Sequence, residues 1–272
     1  MKKMLLAGLG IVMYTAELLA AQVDTVVIHS DAMKKDFNCY VVLPDNYQGG
    51  DKHYPVVYLL HGYSGNSSDW LNKDPDLKKE ADNNNLIIVC PEGGYSSWYF
   101  DSPVDTSMKY ETYIGKEVPV FIDRHYRTLP NRNGRAITGL SMGGHGGMFI
   151  GLRHPDMFGA CGSMSGGVDI NCCVDRFDVA LRIGDTAQHA DNWKSFSVMN
   201  LVEQYNRQLP LSIIIDCGTE DFFYSINHQL HEKMLKLKIL HDYTERPGAH
   251  NWAYWTNAVK YQLLFFSEYF KH

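Results

Sequence analysis

The stretch Arg135-Ala-Ile-Thr-Gly139-Leu-Ser141-Met-Gly143-Gly-His-Gly-Gly-Met-Phe-Ile-Gly151 decides how the rest of the chain is read. Arg135 to Leu140 has the apolar, β-branched character of a strand, and Gly144 onward can start a helix. Between them stands Gly139-Leu-Ser141-Met-Gly143, a serine flanked on both sides by glycine. A side chain lifted out of a tight strand-to-helix turn needs this arrangement, because flanking glycines remove the Cβ atoms that would collide there. Such a turn would present the Ser141 hydroxyl at the carboxyl edge of a sheet, beside the amides that open the following helix. The plainer reading is a glycine-rich turn in which Ser141 only caps a helix.

Outward from this point the chain alternates between strands and helices. Val23–His29 and Phe37–Leu43 read as an antiparallel hairpin. The runs 56–60 and 86–89 are continuously apolar, as expected of strands covered on both faces. Further strands are predicted over 136–140, 160–163, 211–216 and 239–244. Helices are predicted over about 75–84, 111–124, 144–153, 193–208, 223–236 and 252–270. Buried strands alternating with helices imply an α/β fold, with a mostly parallel eight-stranded sheet and helices on both faces. No linker or internal repeat divides residues 22–272, which read as one domain. Residues 166–192 lack clean periodicity, and a connection of that length is usually functional or a small lid.

A serine nucleophile needs a base and an acid to orient the base. On an elbow of this kind they come after the serine in the order acid, then histidine. The strand 211–216 runs into Asp216-Cys-Gly-Thr-Glu220-Asp221-Phe-Phe. Asp216 closes the strand too early. Glu220 and Asp221 lie in the loop, and Asp221 is preferred, with a helix N-cap as its plainer role. Pro247-Gly-Ala-His250-Asn-Trp252 lies between the last strand and the last helix and places His250 as the base. His61-Gly-Tyr63-Ser-Gly comes directly after the strand 56–60. The backbone N–H groups of Tyr63 and Met142 are the candidate oxyanion donors, and His61 reads as structural. Trp98 and Trp252 come after strand or catalytic positions and are candidate substrate contacts, with core packing as the alternative.

The chain has 272 residues, 45% hydrophobic and 21% charged, with a formal net charge of −6. This is ordinary globular composition and carries no electrostatic footprint for nucleic acid. Lys2, Lys3, the apolar run 4–16 and the small residues ending at Ala21 read as a cleaved signal peptide over residues 1–21, so the mature chain is expected outside the cytoplasm, periplasmic or extracellular. Of six cysteines, Cys39, Cys90, Cys161 and Cys217 sit in apolar runs and read as small buried hydrophobes. The adjacent Cys172-Cys173 pair cannot easily bond to itself; zero or one disulfide is expected, and no cysteine pair has zinc-ligand spacing with histidine.

Taken together and in order, His61-Gly-Tyr-Ser-Gly, Gly139-Leu-Ser-Met-Gly-Gly-His-Gly-Gly, Arg153-His-Pro-Asp-Met-Phe, Gly162-Ser-Met-Ser-Gly-Gly, Gly218-Thr-Glu-Asp-Phe-Phe and Gly248-Ala-His-Asn-Trp resemble the esterase D-like family of α/β-hydrolases. That family includes feruloyl and acetyl esterases, S-formylglutathione hydrolases and mycolyltransferases. The resemblance implies an α/β-hydrolase fold, a catalytic set Ser141, Asp221 and His250, and an oxyanion hole at Tyr63 and Met142. It implies a serine carboxylic-ester hydrolase acting on short-chain, feruloyl or acetyl esters, with no metal or organic cofactor. The substrate would be a small-molecule or carbohydrate-linked ester. A thioesterase, an acyltransferase and a non-catalytic binding protein on the same fold are the competing readings.

Overall fold

In a computed structural model, residues 22–272 are described apart from Gly49. The segment 1–21, where the signal peptide is expected, lies outside the described residues. Eight strands form a single sheet: β1 (Gln22–Ser30), β2 (Lys35–Leu43), β3 (Val56–Leu60), β4 (Ile87–Pro91), β5 (Arg135–Gly139), β6 (Ala160–Met164), β7 (Ser212–Gly218) and β8 (Asp242–Arg246). Their order across the sheet is β1-β2-β4-β3-β5-β6-β7-β8. β1, β2 and β4 pair antiparallel, and every pairing from β4 through β3 to β8 is parallel. This is the mostly parallel eight-stranded sheet that the sequence pattern predicts.

Alternation along the central strands builds two cores. Val56, Tyr58 and Leu60 of β3 and Ile87 and Val89 of β4 face one side; Val57, Leu59, Ile88 and Cys90 face the other. The period of two is the pleat itself, and burial on both faces explains why no charged residue interrupts these runs. The first side is covered by helices including Met142–Arg153 and Tyr224–Lys236. The second is covered by Leu77–Asn84 and the C-terminal helix Trp252–Tyr269, through Leu77, Ala81, Trp255, Ala258, Val259, Leu263 and Phe266.

Three predicted elements are corrected. The strand expected from Ile239 begins at Asp242, and the one expected from Leu86 begins at Ile87. In both cases the preceding residues finish a helix. Lys238 is left-handed with φ 56°, and the Ile239 N–H donates to Met234 O at 2.9 Å while the Lys238 N–H donates to Leu235 O at 3.0 Å. This is a Schellman ending with lysine where glycine is usual. Asn85 is left-handed as well, and the Leu86 N–H donates to Ala81 O at 3.2 Å. The helix expected over 193–208 is broken into Ala190–Ser195, Val198–Leu201 and a 3₁₀ turn. Ser197 is fully buried with extended backbone, and its hydroxyl donates to Val168 O, a tertiary tie that overrides the helical pattern. The helix expected over 111–124 spans that region with a π-turn at Tyr113–Glu117. Pro119 has no N–H for the carbonyl four residues back, which accounts for the looser turn before it.

Replacing Leu263, fully buried under the C-terminal helix, by alanine is expected to cost about 2–5 kcal/mol of stability. Urea unfolding measures this, and a loss below about 1 kcal/mol would mean the second core does not pack as described.

Candidate active site

Ser141 stands between β5 and the helix Met142–Arg153 with φ 55° and ψ −115°, a backbone conformation that costs energy for a residue with a Cβ. The surrounding contacts hold it there. The Ser141 N–H donates to Met164 O at 2.9 Å, the Gly143 N–H donates to Leu140 O at 2.7 Å, and the Gly167 N–H donates to Ser141 O at 3.3 Å. A Cβ on Gly143 would lie 2.6 Å from both Leu60 O and His61 O, so only glycine lets the elbow approach the end of β3.

The structure brings the three predicted side chains together. His250 Nε2 lies 2.9 Å from Ser141 Oγ, and His250 Nδ1 lies 2.8 Å from Asp221 Oδ2 and 3.0 Å from Oδ1. The Asp221 side chain is fully buried and also accepts the Phe223 N–H at 2.7 Å. Asp221 thus closes an Asx turn ahead of the helix Tyr224–Lys236 while it holds the imidazole. The competing acids are elsewhere. Asp216 is bonded to Arg246 and to the Tyr254 hydroxyl, and Glu220 is exposed.

The acid and base loops are stitched to each other. The Thr219 N–H donates to Arg246 O and the Glu220 N–H donates to Gly248 O, each at 2.9 Å. Gly248 has φ 148°, and a Cβ there would strike the Tyr254 ring at 2.3 Å. Asn251 then caps the C-terminal helix by accepting the Tyr254 N–H at 3.1 Å. His250 therefore sits on a loop fixed at both ends.

Tyr63 and Met142 flank the serine from the β3 loop and the elbow, and among the described residues neither amide has a protein acceptor. Burial, and then the Asp178 carboxylate that accepts its hydrogen bond at 3.2 Å, push the Tyr63 hydroxyl up to about 12, so it stays a donor. His61 is internal: its Nε2 accepts the Gly93 N–H at 2.8 Å and its Nδ1 pairs with Gly62 O at 2.9 Å. That pattern fixes the ring's orientation and gives it a structural role.

Ser141 and His250 open into a cleft of about 360 Å³, lined also by Tyr63, Asp69, Phe177, Phe222, Trp252 and Trp255. Trp252 is where the sequence places it. Trp98 is not: it is 1% exposed, its Nε1 donates to Phe177 O at 2.8 Å, and it packs edge-on against His145. Trp98 supports the cleft wall from beneath and is corrected from a lining residue to a buttress. Sequence reasoning misses Phe177 and Phe222. Phe177 comes from the aperiodic segment 166–192, whose length marks it as functional but whose pattern singles out no one residue. Phe222 comes directly after Asp221, and its ring centroid lies 4.1 Å from that of His250.

His145 is fully buried among Trp98, Phe100 and Phe149. Its Nε2–H donates to Phe196 O at 2.9 Å, while burial pulls its pKa down to about 4.

The sheet order, the strained serine and the Ser–His–Asp hydrogen-bond chain define an α/β-hydrolase with the geometry of a serine hydrolase site. The chain belongs to the family described as "Putative esterase", whose model matches residues 30–266. An esterase of Mycobacterium tuberculosis is 28% identical over 236 residues, covering 77% of this chain and 51% of that protein. An endo-1,4-beta-xylanase/feruloyl esterase of Xylanibacter ruminicola is 31% identical over 166 residues, covering 57% of this chain and 23% of its own length. The chain thus spans about half the length, or less, of these curated relatives. A solved ferulic acid esterase superposes with a TM-score of 0.78 at 29% identity, covering 92% of this chain and 99% of the other.

The His145 shift sets an acid limit on stability. Its folded pKa lies below the ordinary histidine value of about 6.5, so the unfolded chain binds the extra proton, and stability is lost as pH falls from about 6.5 toward 4. The group accounts for about 3 kcal/mol across that window. Urea unfolding at pH 7 and pH 4 should show a smaller acid loss for His145→Gln than for the wild type; parallel losses would refute the buried neutral histidine.

Proposed function

We propose that this protein is an exported serine carboxylic-ester hydrolase that works through an acyl-enzyme on carbohydrate-linked feruloyl or acetyl esters. The single observation that carries the reading is the continuous chain from Ser141 Oγ through His250 to the buried Asp221. His250 takes the serine proton as Oγ attacks the ester carbonyl, and the amides of Tyr63 and Met142 receive the oxyanion. His250 returns the proton to the departing alcohol. Water then enters, loses a proton to His250 and releases the acid. Asp221 keeps Nδ1 protonated, which leaves Nε2 free to act as base, and it stabilises the imidazolium that forms.

The substrate class rests on the cleft and the relatives. The cleft walls are aromatic rings at angles to one another, with Tyr63 edge-on to Phe177 at 5.4 Å and Trp252 edge-on to Trp255 at 5.5 Å. Flat faces of this kind suit a planar acyl group or a sugar ring. The feruloyl and ferulic acid esterases among the similar proteins support the same class. The expected leader at residues 1–21 supports export, and among the described residues no helix is long and apolar enough to cross a membrane.

Ser141→Ala is expected to lower kcat on p-nitrophenyl acetate by about 10⁴-fold or more, and Asp221→Asn by about 10³–10⁴-fold. Glu220→Gln should stay within about twofold of wild type. A Ser141→Ala enzyme retaining more than a few per cent of activity ends the assignment. On a panel of esters, methyl ferulate should exceed methyl acetate in kcat/KM by at least about tenfold; equal values would remove the feruloyl half of the reading.

A further inference from the structure

Cys172 and Cys173 are adjacent in sequence, close a 3₁₀ turn at Ile170–Cys173, and hold their sulfur atoms 3.4 Å apart. Cys172 is half-buried and Cys173 is fully buried. The other four cysteines are buried in or under the sheet, and Cys39 and Cys90 belong to cores on opposite faces of it. The pair is therefore the one place among the described residues where a thiol open to solvent has a second thiol in contact with it.

We propose that Cys172 and Cys173 form a two-electron redox site, closed to a vicinal disulfide by small-molecule disulfides, and that closure moves the segment that carries Phe177 into the cleft wall. The Cys172 thiolate attacks one sulfur of the external disulfide, forming a mixed disulfide and expelling one thiolate. The Cys173 thiol gives up its proton and attacks Cys172 Sγ, expelling the second. Two electrons pass from the cysteines to the oxidant, and two protons leave with the two thiols released. The hydrogen bond from Cys173 lowers the Cys172 pKa, which favours Cys172 as the attacking group.

Two features make the site reversible and coupled. Neighbouring Cα atoms stand about 3.8 Å apart, short of the roughly 4.4 Å or more that disulfides prefer, so the ring forms under strain and reduces readily. The turn also anchors Arg176 and, through it, Phe177. The Arg176 N–H donates to Cys173 O at 3.1 Å, its guanidinium reaches Cys172 O at 3.4 Å, and it lies 5.7 Å from the Phe177 ring. Rotating the 172–173 peptide to close the ring displaces the Cys172 carbonyl, which accepts from the Arg176 guanidinium.

The test needs no enzymatic readout and so stands apart from the esterase assignment. The purified chain is equilibrated with glutathione disulfide, alkylated, and cut before aspartate. The peptide Asp169–Val174 holds Cys172 and Cys173 and no other cysteine. It should be two hydrogens lighter than the reduced peptide, be restored by dithiothreitol, and stay open in Cys172→Ser. A fully alkylated peptide, or a lasting glutathione adduct on Cys172, overturns the site. Amide exchange over residues 174–183 should become several-fold faster in the closed form; unchanged exchange with the ring closed overturns the coupling to Phe177.

Discussion

The elbow can form because two backbones come closer than any side chain would allow. The end of β3 presents the Leu60 and His61 carbonyls to the turn Leu140–Gly143, and a methyl group at residue 143 would sit inside both contacts. With glycine there, the Leu140 N–H reaches Leu60 O at 3.3 Å and the serine is forced into its positive-φ backbone conformation. The strain is held by the sheet on one side and by Met164 O on the other. A rigid, fully buried scaffold is what allows one residue to be kept in a sparsely populated conformation.

The other half of the site is assembled by loops that hold each other rather than the serine. The loop after Gly218 donates backbone hydrogen bonds to the Arg246 and Gly248 carbonyls of the loop that carries His250, and Asn251 pins the C-terminal helix at the point where that second loop ends. The Asp221–His250 pair is therefore a unit with its own internal geometry. The parallel register of β7 with β8, in which Gly218 pairs with Arg246, brings that unit to the same rim as the elbow. Residues 141, 221 and 250 meet because of strand order, which is why their separation along the chain carries no information about their distance in space.

Much of this is legible in the sequence because glycine and apolar runs leave unambiguous marks. Gly139 and Gly143 announce the elbow, and the uninterrupted runs in β3 and β4 announce strands covered on both faces. The misreadings share a physical cause. The starts of β4 and β8 are read too early because Asn85 and Lys238 close helices in the left-handed region without a glycine to signal it. The helix over 193–208 is read too long because Ser197 is committed to Val168 O, a partner remote in sequence. Chain order alone puts Trp98 in the cleft, whereas its indole N–H is spent on Phe177 O. Periodicity reports which face a residue takes; it does not report a hydrogen bond made across the fold.

The surroundings of His250 show how one ring can be both held and reachable. The Asp221 carboxylate is closed off from water, and without a partner there it would be costly. It is instead satisfied by the imidazole and by the Phe223 N–H, so the carboxylate is held against the Nδ1 side of the ring. The Trp255 ring stands edge-on to the imidazole at 4.8 Å, while Phe222 covers it at 4.1 Å and remains 56% exposed. The aromatic walls limit how far the ring can swing, and the open side of Phe222 leaves a route for water. A ring that is restrained from below yet reachable from above suits both halves of the proposed acyl-enzyme cycle, since the second half requires water to arrive where the alcohol has just left.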